Sequence, residues 1–431
     1  MALIVTLDPR ELSQAGWGLV MPASEDSDAR GAAIREALTP LLALRCAQAG
    51  ALFRGFFGAQ GYRPGETKSK FLARNGAGPG PVRPELVPYY LLIVGDPGEI
   101  PYTFEEQMGV QHAVGRICFD TPEEYAHYAG TVAAIERAGA WTSGSAVFFA
   151  PRHHEDLLST HTSKRFTQPL ARSVAAQCPE WQTSVVSGPE ATRARLGDLL
   201  HRGRSEFVFA AGHGMVFAGD DPRRAAHQGA LLCQDWPGPR EWTDPIPPEF
   251  YFSADDVGPY AGSLPPRGRI LLLAASYSLG TPVPEPQRSS SGGAAPASTG
   301  AFAARLPQRL LGQPGGYTLA VIGAHDRRLG DAMALDPTAS QRNIDLYRAV
   351  IHRILAGAPI GHAREPFTER HAEAASELAV MLEEVEFGRT ADPQELVPMW
   401  MESQDMRALS IFGDPAVRLG VSPGSTGSTP G

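Results

Sequence analysis

Six short apolar stretches constrain the fold of this chain more than any other feature. Each spans five to seven residues, which suits a strand buried on both faces and is too short for a typical helix. Helical segments separate most of them, and this alternation is typical of a doubly wound α/β fold with a mostly parallel sheet. The predicted strands are residues 89–95, 145–150, 183–187, 206–211, 269–275 and 317–323.

One helix and several low-complexity segments indicate how the chain is divided. Thr121 and Pro122 open the helical stretch PEEYAHYAGTVAAIERAG with a capping residue and a first-turn proline. The glycines that follow this helix predict a joint between an amino-terminal subdomain, residues 1–140, and a second subdomain, residues 141–420. Residues 283–300 are rich in Pro, Ser and Gly and predict a mobile loop, while residues 421–431 predict a disordered tail.

Composition narrows the class of protein and of partner. The chain has 431 residues, of which 43% are hydrophobic and 20% charged, so it can bury a large core. Its net charge of −9 argues against nucleic acid or an anionic membrane as the main partner, because both reward a basic surface. An acidic protein suits a cationic ligand better. The predominance of arginine over lysine, with abundant Ala, Gly and Pro, indicates a bacterial source.

Location and redox state follow from a few further residues. Asp8 and Arg10 interrupt the amino-terminal apolar stretch, and no later run reaches the roughly 18 apolar residues of a membrane span. We therefore expect a cytoplasmic protein. The four cysteines lie far apart and predict reduced, structural thiols. Residues 153–156, His-His-Glu-Asp, lack metal-ligand spacing and predict an exposed polar turn, so we expect neither a metal nor a cofactor.

Two of the predicted strands end in the same unusual way. The stretch RILLLAASYSLGTP runs from a buried strand into Ser276, and EFVFAAGHGM runs from another strand into His213 between two glycines. In open α/β sheets, ligands bind at the carboxyl ends of strands. If the two strands are neighbours, a nucleophile and a base would come within hydrogen-bond reach.

These two blocks resemble the caspase-like cysteine peptidases of clan CD, the group that holds caspases, gingipains and bacterial CHAT-type proteases. Members carry an apolar block followed by His-Gly and, after one intervening unit, a second apolar block followed by the catalytic Cys. FVFAAGHG and ILLLAASYS match both blocks in order, but Ser276 stands where the family has cysteine. The resemblance implies a cysteine endopeptidase with a His213 and residue 276 dyad.

Further matches extend the resemblance over roughly residues 85–420. They are YYLLIVGDPGEIPYTFEEQMGVQHAVGRI, PGGYTLAVIG and ALSIFGDPAVRL, which are similar to gingipain and CHAT-type segments; residues 1–84 match nothing. The implied fold is a caspase-hemoglobinase α/β sandwich with a gingipain-like amino-terminal subdomain. Bacterial relatives often act in defence against phage, which implies a protein substrate and an upstream activating protease or regulator.

The resemblance also assigns roles in catalysis. A thiolate at position 276 would attack the scissile carbonyl, His213 would manage proton transfer, and the amides of Gly214 and residue 276 would stabilise the oxyanion. A serine without strong activation is a poor substitute, because an alcohol needs a close base and an orienting carboxylate. We interpret the chain as a Cys-to-Ser inactivated form, or else as a natural pseudoprotease that acts as a binding platform.

Specificity and processing have candidate residues as well. Glu106, with Glu105 adjacent, occupies the place of the gingipain acid that binds the basic residue before the cleaved bond; Asp235 is the second candidate. A carboxylate would bind an arginine side chain through paired, charge-assisted hydrogen bonds. Arg288 in the predicted mobile loop is a candidate processing site. Glu99 is a weak candidate for orienting His213.

One alternative enzyme class stays open. SYSLG, residues 276–280, is one residue from the G-x-S-x-G elbow of α/β-hydrolases, which would make Ser278 the nucleophile of a serine hydrolase. Asp326 or a later acid, with either His352 or His362, would complete its triad. In this alternative Ser276 stands at the first position of the elbow, where the sharp turn favours Gly. The GHG stretch, residues 212–214, is left without a role.

Overall fold

Ten strands form a single mostly parallel sheet flanked by helices, as the apolar stretches predict. The computed structural model describes residues 7–24, 28–139, 141, 143–203, 205–260, 267–283, 300–328, 337–388 and 392–420. The candidate processing site Arg288, most of the predicted mobile loop and the predicted tail lie outside these ranges. The division into two subdomains stays a prediction, since one sheet runs through both.

The strands are numbered in chain order. They are β1 (Trp17–Ala23), β2 (Phe53–Gly58), β3 (Tyr90–Val94), β4 (Ala113–Ile117), β5 (Gly144–Ala150), β6 (Trp181–Ser187), β7 (Phe207–Ala211), β8 (Leu231–Leu232), β9 (Tyr251–Phe252), β10 (Arg269–Ala274), β11 (Gly280–Thr281), β12 (Phe302–Ala303), β13 (Thr318–Ala324) and β14 (Leu409–Gly413). The large sheet has the order β2-β1-β3-β4-β14-β13-β10-β7-β5-β6, and two small two-stranded sheets pair β8 with β9 and β11 with β12.

Helices connect most of the strands. They span Leu12–Ala15, Ala29–Ala37, Thr39–Ala49, Lys68–Arg74, Tyr102–Gly109, Pro122–Arg137, Leu157–His161, Gln168–Gln177, Arg193–His201, Arg224–His227, Arg305–Gly312, Pro337–Leu355, Ile360–Ala363, Glu365–Glu386 and Pro393–Arg407. No helix in the described ranges is long and apolar enough to cross a membrane.

Strand direction divides the large sheet into two halves. Strands β2, β1, β3, β4 and β14 run parallel to one another, and so do β13, β10, β7, β5 and β6, but β13 and β14 are antiparallel. The loops that follow β5, β7, β10 and β13 therefore leave the sheet at one common edge. Four neighbouring strands deliver side chains to that edge, which is where the candidate active site lies.

Most of the predicted strands are buried because both faces of the sheet are covered there, whereas β6, the last strand of the sheet, is partly exposed. All five residues of β7 are buried, and Ile270 to Leu273 of β10 are at most 2% exposed. The six predicted strands are confirmed, with ends that differ by one or two residues. The predicted helix is confirmed as Pro122–Arg137, where Thr121 and Glu124 form a reciprocal capping box. Strands β1, β2 and β4 were not predicted.

Candidate active site

His213 and Ser276 occupy equivalent positions on neighbouring strands. Strands β7 and β10 pair in parallel, with Ala211 opposite Ala274, and each candidate residue lies two positions beyond its member of that pair. The Gly212 amide donates to the Ala274 carbonyl at 3.3 Å, so the pairing continues past the strand ends. The predicted adjacency of the two strands is therefore observed.

Gly214 brings the two loops into direct backbone contact. A Cβ atom at position 214 would clash with the Ser276 carbonyl oxygen and lie 3.0 Å from the Ser276 amide nitrogen. Among the hydrogen bonds of the described residues, neither the Gly214 amide nor the Ser276 amide donates to a protein acceptor. An oxyanion hole is formed by unpaired amides of this kind, and these two belong to residues in backbone contact.

The turn that carries Ser276 is constrained on both sides. The Ser276 Oγ accepts a hydrogen bond from the Arg328 amide at 3.0 Å and lies 3.4 Å from the Arg328 carbonyl oxygen. Tyr277 has a φ of 55°, a left-handed conformation that costs free energy for a residue with a side chain. Its amide donates to the Asp326 carbonyl at 2.9 Å, which holds the turn in this conformation.

Asp156 is the partner of His213, and sequence analysis missed it. The Asp156 Oδ2 lies 2.5 Å from His213 Nε2, and the carboxylate is mostly buried. Residues 153–156 are therefore more than an exposed polar turn. Glu155, within this segment, has a φ of 58°. Glu99, the weak candidate, instead accepts a hydrogen bond from the Asp96 amide. Because Asp156 engages Nε2, the His213 Nδ1 is the ring nitrogen left for a substrate or nucleophile.

The environment of Asp156 keeps its charge in place. Burial alone would raise the pKa of the Asp156 carboxyl, but the hydrogen bond and charge interaction with His213 outweigh it and hold the pKa at about 2. His153 packs near His213, with ring centroids 6.4 Å apart, and burial lowers the pKa of its imidazole. At this edge of the sheet, His213 therefore has the ionised Asp156 carboxylate as its partner and the neutral His153 ring nearby.

Asp156→Asn should lower the free energy of unfolding by roughly 1–2 kcal/mol at pH 7, because the lowered pKa of the carboxyl reflects a stabilisation of the folded state that solvent screening of this partly exposed pair reduces. The folded-state pKa lies below the unfolded one, so this stabilisation is present above about pH 4 and is lost as the pH falls through 2. Urea denaturation at several pH values measures it. Asp120→Asn, which breaks an exposed pair with Arg305, is the control and should cost less than about 1 kcal/mol. A variant difference that does not shrink at low pH would contradict the assignment.

The predicted specificity residue Glu105 is placed elsewhere. It is 3% exposed, and its carboxylate accepts a hydrogen bond from Arg116 Nε at 2.8 Å. Arg116 also donates to the carbonyls of Gly95 and Ile100, so the pair is locked into the fold. The expectation that Glu105 meets a substrate is corrected, because a buried ion pair cannot release one partner without a large cost.

Glu106 is engaged in a second buried cluster. Its Oε1 lies 2.8 Å from His325 Nε2, and the His325 ring stacks on Tyr102 with centroids 4.2 Å apart. Ser410 Oγ lies 3.2 Å from the other ring nitrogen of His325. This carboxylate therefore supports the turn after β13, and its pairing with His325 corrects its predicted role as the acid of the substrate pocket.

The remaining predicted acid, Asp235, is exposed. Its Oδ2 accepts a hydrogen bond from the Arg193 amide at 2.6 Å, at the start of the helix Arg193–His201. The neighbouring Trp236 carbonyl bonds His153, which places Asp235 beyond the His213 side of the edge. Its role in specificity stays a prediction.

The cysteines occur as free thiols, three of them buried and Cys46 exposed. Burial raises the pKa of Cys118 to about 12 and that of Cys178 to about 11, so both remain neutral. Among the described residues there is no cluster of His, Cys, Asp or Glu that could hold a metal ion.

The serine-hydrolase alternative conflicts with the position of Ser278. This side chain is 0% exposed; its Oγ accepts from the Ala324 amide at 3.0 Å and lies 3.4 Å from the Leu273 carbonyl. It therefore ties β10 to β13 inside the core and cannot reach a substrate. Of its proposed partners, His362 is already paired with Glu365 at 2.9 Å. This alternative is wrong.

Ser278→Ala should destabilise the protein by about 1–3 kcal/mol, because the buried Ala324 amide would lose its acceptor. Chemical denaturation measures this cost. Ser276→Ala is the matched control and should change stability by less than about 1 kcal/mol, since its hydroxyl is half-buried and its loss leaves no fully buried amide. Labelling of Ser278 by a fluorophosphonate probe would contradict the structural role.

Comparison with known proteins supports a fold but not a family membership. No family model matches the chain, and no curated protein matches it either. The crystal structure of the Arg-specific cysteine proteinase gingipain R matches with a TM-score of 0.52 and 12% identity, covering 94% of this chain and 78% of that one. The complex of the pro- and mature domains of RgpB from Porphyromonas gingivalis gives 0.52 and 12%, covering 95% and 80%. The chain therefore has the α/β fold of gingipain R, a caspase-like cysteine protease.

Proposed function

We propose that this chain is a caspase-like endopeptidase in which Ser276 occupies the position of the nucleophilic cysteine. The observation that carries the proposal is the equivalent placement of His213 and Ser276 at the ends of neighbouring strands β7 and β10. Two unpaired amides beside Ser276 support it further. A nucleophile, a base and an oxyanion hole at one edge form the minimum set for acyl transfer.

The proposed mechanism assigns one task to each group. A thiolate at position 276 attacks the scissile carbonyl, and the amides of Gly214 and residue 276 stabilise the resulting oxyanion. His213 donates a proton to the leaving amine and then takes one from the water that hydrolyses the acyl-enzyme. Asp156 is a positioning residue, because its carboxylate fixes the orientation of the His213 ring through Nε2.

Serine at position 276 is a poor nucleophile in this setting. Its Oγ bonds with the Arg328 backbone and not with His213, so no base is in position to accept the hydroxyl proton. An alcohol needs such a base, whereas a thiol near its usual pKa of about 8.5 ionises readily. We therefore propose that this form binds substrates without cleaving them. The same observation favours the second candidate function, a pseudoprotease that acts as a binding platform.

We propose a basic residue, with arginine preferred, before the cleaved bond. The net charge of −9 supports a cationic ligand, and the similar gingipain R is described as Arg-specific. With Glu105 and Glu106 engaged elsewhere, the acids that remain near the edge are Asp235 and Asp326. The Asp326 carbonyl accepts the Tyr277 amide, which places this residue beside the nucleophile.

A panel of fluorogenic peptides tests the specificity in the Ser276→Cys variant. Peptides with Arg before the scissile bond should be cleaved at least ~10-fold faster than matched peptides with Asp or Leu, because a carboxylate that pairs with a guanidinium discriminates against other side chains. Either Asp235→Asn or Asp326→Asn should reduce this preference. The exposed Asp198→Asn is the control and should leave it unchanged. Equal turnover of the three peptides would rule out basic specificity.

A further inference from the structure

A second cavity lies apart from the candidate active site. It is a small pocket, partly open to solvent, between the helices Tyr102–Gly109, Glu365–Glu386 and Pro393–Arg407 and strand β14. Nothing in the proposed mechanism uses it. Its polar lining includes Glu105, Glu106, Arg364, Thr368, His371, Arg407 and Ser410.

Arg364 is the least compensated buried arginine among the described residues. It is 9% exposed, yet its one hydrogen bond is from Nη1 to the Leu409 carbonyl at 2.6 Å, and no carboxylate lies within 4.0 Å. Arg269, by contrast, donates to the carbonyls of residues 199, 200, 203 and 205. An uncompensated buried charge is costly. The Arg364 guanidinium therefore lacks an anionic partner.

A second arginine lines the same cavity. The Nε of Arg407 is buried and has no hydrogen-bond partner, and its nearest carboxylate oxygen, on Glu106, is 3.8 Å away. The Nδ1 of His371 lies 3.1 Å from the Ser403 carbonyl and donates to it, so the Nε2 of this ring is an acceptor. Arg364 and Arg407 are therefore the two cationic side chains of the lining.

The carboxylates near the cavity are occupied by other partners. Glu105 pairs with Arg116 at 2.8 Å, and Glu106 pairs with His325 at 2.8 Å. Glu365, the residue that follows Arg364, accepts a hydrogen bond from the Tyr89 hydroxyl at 2.6 Å and pairs with His362. None of these three carboxylates lies within 4.0 Å of Arg364, and Glu106 Oε2 lies 3.8 Å from Arg407 Nε.

We propose that this cavity binds a small oxyanion, a phosphate or a short carboxylate, between Arg364 and Arg407. Guanidinium groups bind both anions through paired hydrogen bonds, and partial burial strengthens such bonds. Thr368 adds a hydroxyl donor to the lining. The site contacts the turn after β13 through His325, but it shares no residue with the His213 and Ser276 pair.

Binding is measured on the unaltered chain by isothermal titration calorimetry and thermal melting, with inorganic phosphate and with malonate, at an ionic strength held constant by NaCl. At least one of the two anions should bind saturably and raise the melting temperature; the stronger of the two identifies the class. Arg364→Met and Arg407→Met should each weaken binding at least ~10-fold. Arg83→Met, which removes an exposed arginine paired with Glu85, is the control and should bind as the unaltered chain does.

Two results would overturn the proposal: no saturable binding of either anion, or unchanged affinity in Arg407→Met. That variant keeps the test decisive if Arg364→Met does not fold, because the Arg407 side chain is 38% exposed. The assay needs no peptidase activity. Failure of anion binding therefore leaves the proposed function untouched, and failure of the proposed function leaves the anion site untouched.

Discussion

Ser276→Cys should convert this chain into an active cysteine peptidase, with turnover at least ~10³-fold above that of the serine form. The backbone of the site is already arranged, since Gly214 and Ser276 are in contact and their amides are unpaired. The substitution changes one atom, but sulfur ionises near neutral pH and is the better nucleophile. Cleavage of fluorogenic peptides with Arg before the scissile bond measures the gain.

Two controls separate catalysis at position 276 from a general effect of a new thiol. His213→Ala in the Ser276→Cys background should abolish the gained activity, because the leaving amine then lacks its proton donor. Ser278→Cys places a thiol two residues away inside the core, where no substrate can reach it, and should gain nothing. If the Ser276→Cys variant folds but stays silent on every peptide, the binding-platform function becomes the better account.

Gly214→Ala in the Ser276→Cys background should reduce kcat/KM by roughly 10²–10³-fold. The new Cβ would collide with the Ser276 carbonyl oxygen, so one of the two loops must move and the pair of amides separates. Loss of one oxyanion donor typically costs a factor of this size. Steady-state kinetics on the best peptide measures the loss, and it should fall mainly on kcat.

Gly212→Ala is the matched control for this substitution. A Cβ at position 212 would meet Pro151 at 3.4 Å, an ordinary contact, so the variant should retain activity within about threefold. Both changes add one methyl group to the same short loop. Equal losses in the two variants would mean that the loop tolerates no side chain in general, and the oxyanion-hole assignment would be contradicted.

The sheet could be predicted where a buried strand also has a continuous apolar sequence, which β4 (AVGRI) lacks although it is buried. Continuous apolar stretches mark β3, β5, β7, β10 and β13, since each is covered by helices and needs no alternation. Strand β2, with the sequence FRGFFG, is partly exposed and contains two glycines, so it carries a weaker signal. Strands β13 and β14 are antiparallel because of pairing between residues that are distant in the sequence. No local sequence pattern encodes such pairing.

Only the site residues that directly follow a predicted strand could be predicted from the sequence. His213 and Ser276 each follow a strand directly, so parallel pairing was enough to bring them together. Asp156 lies 57 residues before His213 in a loop whose conformation depends on tertiary contacts, and its neighbours gave no metal or catalytic spacing. Its place on the loop after β5, the neighbour of β7, was the signal that could have found it.

The prediction that two adjacent acids bind the substrate was wrong for a related reason. Glu105 and Glu106 are adjacent in the sequence, but on a helix they point in different directions and reach separate partners, Arg116 and His325. The second partner lies 219 residues away. Whether a carboxylate is free to meet a substrate depends on such distant pairing, and this cannot be read from the residues that flank it.

The rate of alkylation of the thiol introduced by Ser276→Cys tests the central claim most directly. The exposed Cys46 of the same molecule serves as an internal reference for an ordinary thiol. Mass spectrometry after brief exposure to iodoacetamide at pH 6 should show position 276 modified at least ~10-fold faster than Cys46, because only an activated thiol is ionised at that pH. His213→Ala should remove most of this advantage. Equal rates at the two positions, with or without His213, would contradict the claim that this edge of the sheet is a cysteine peptidase site.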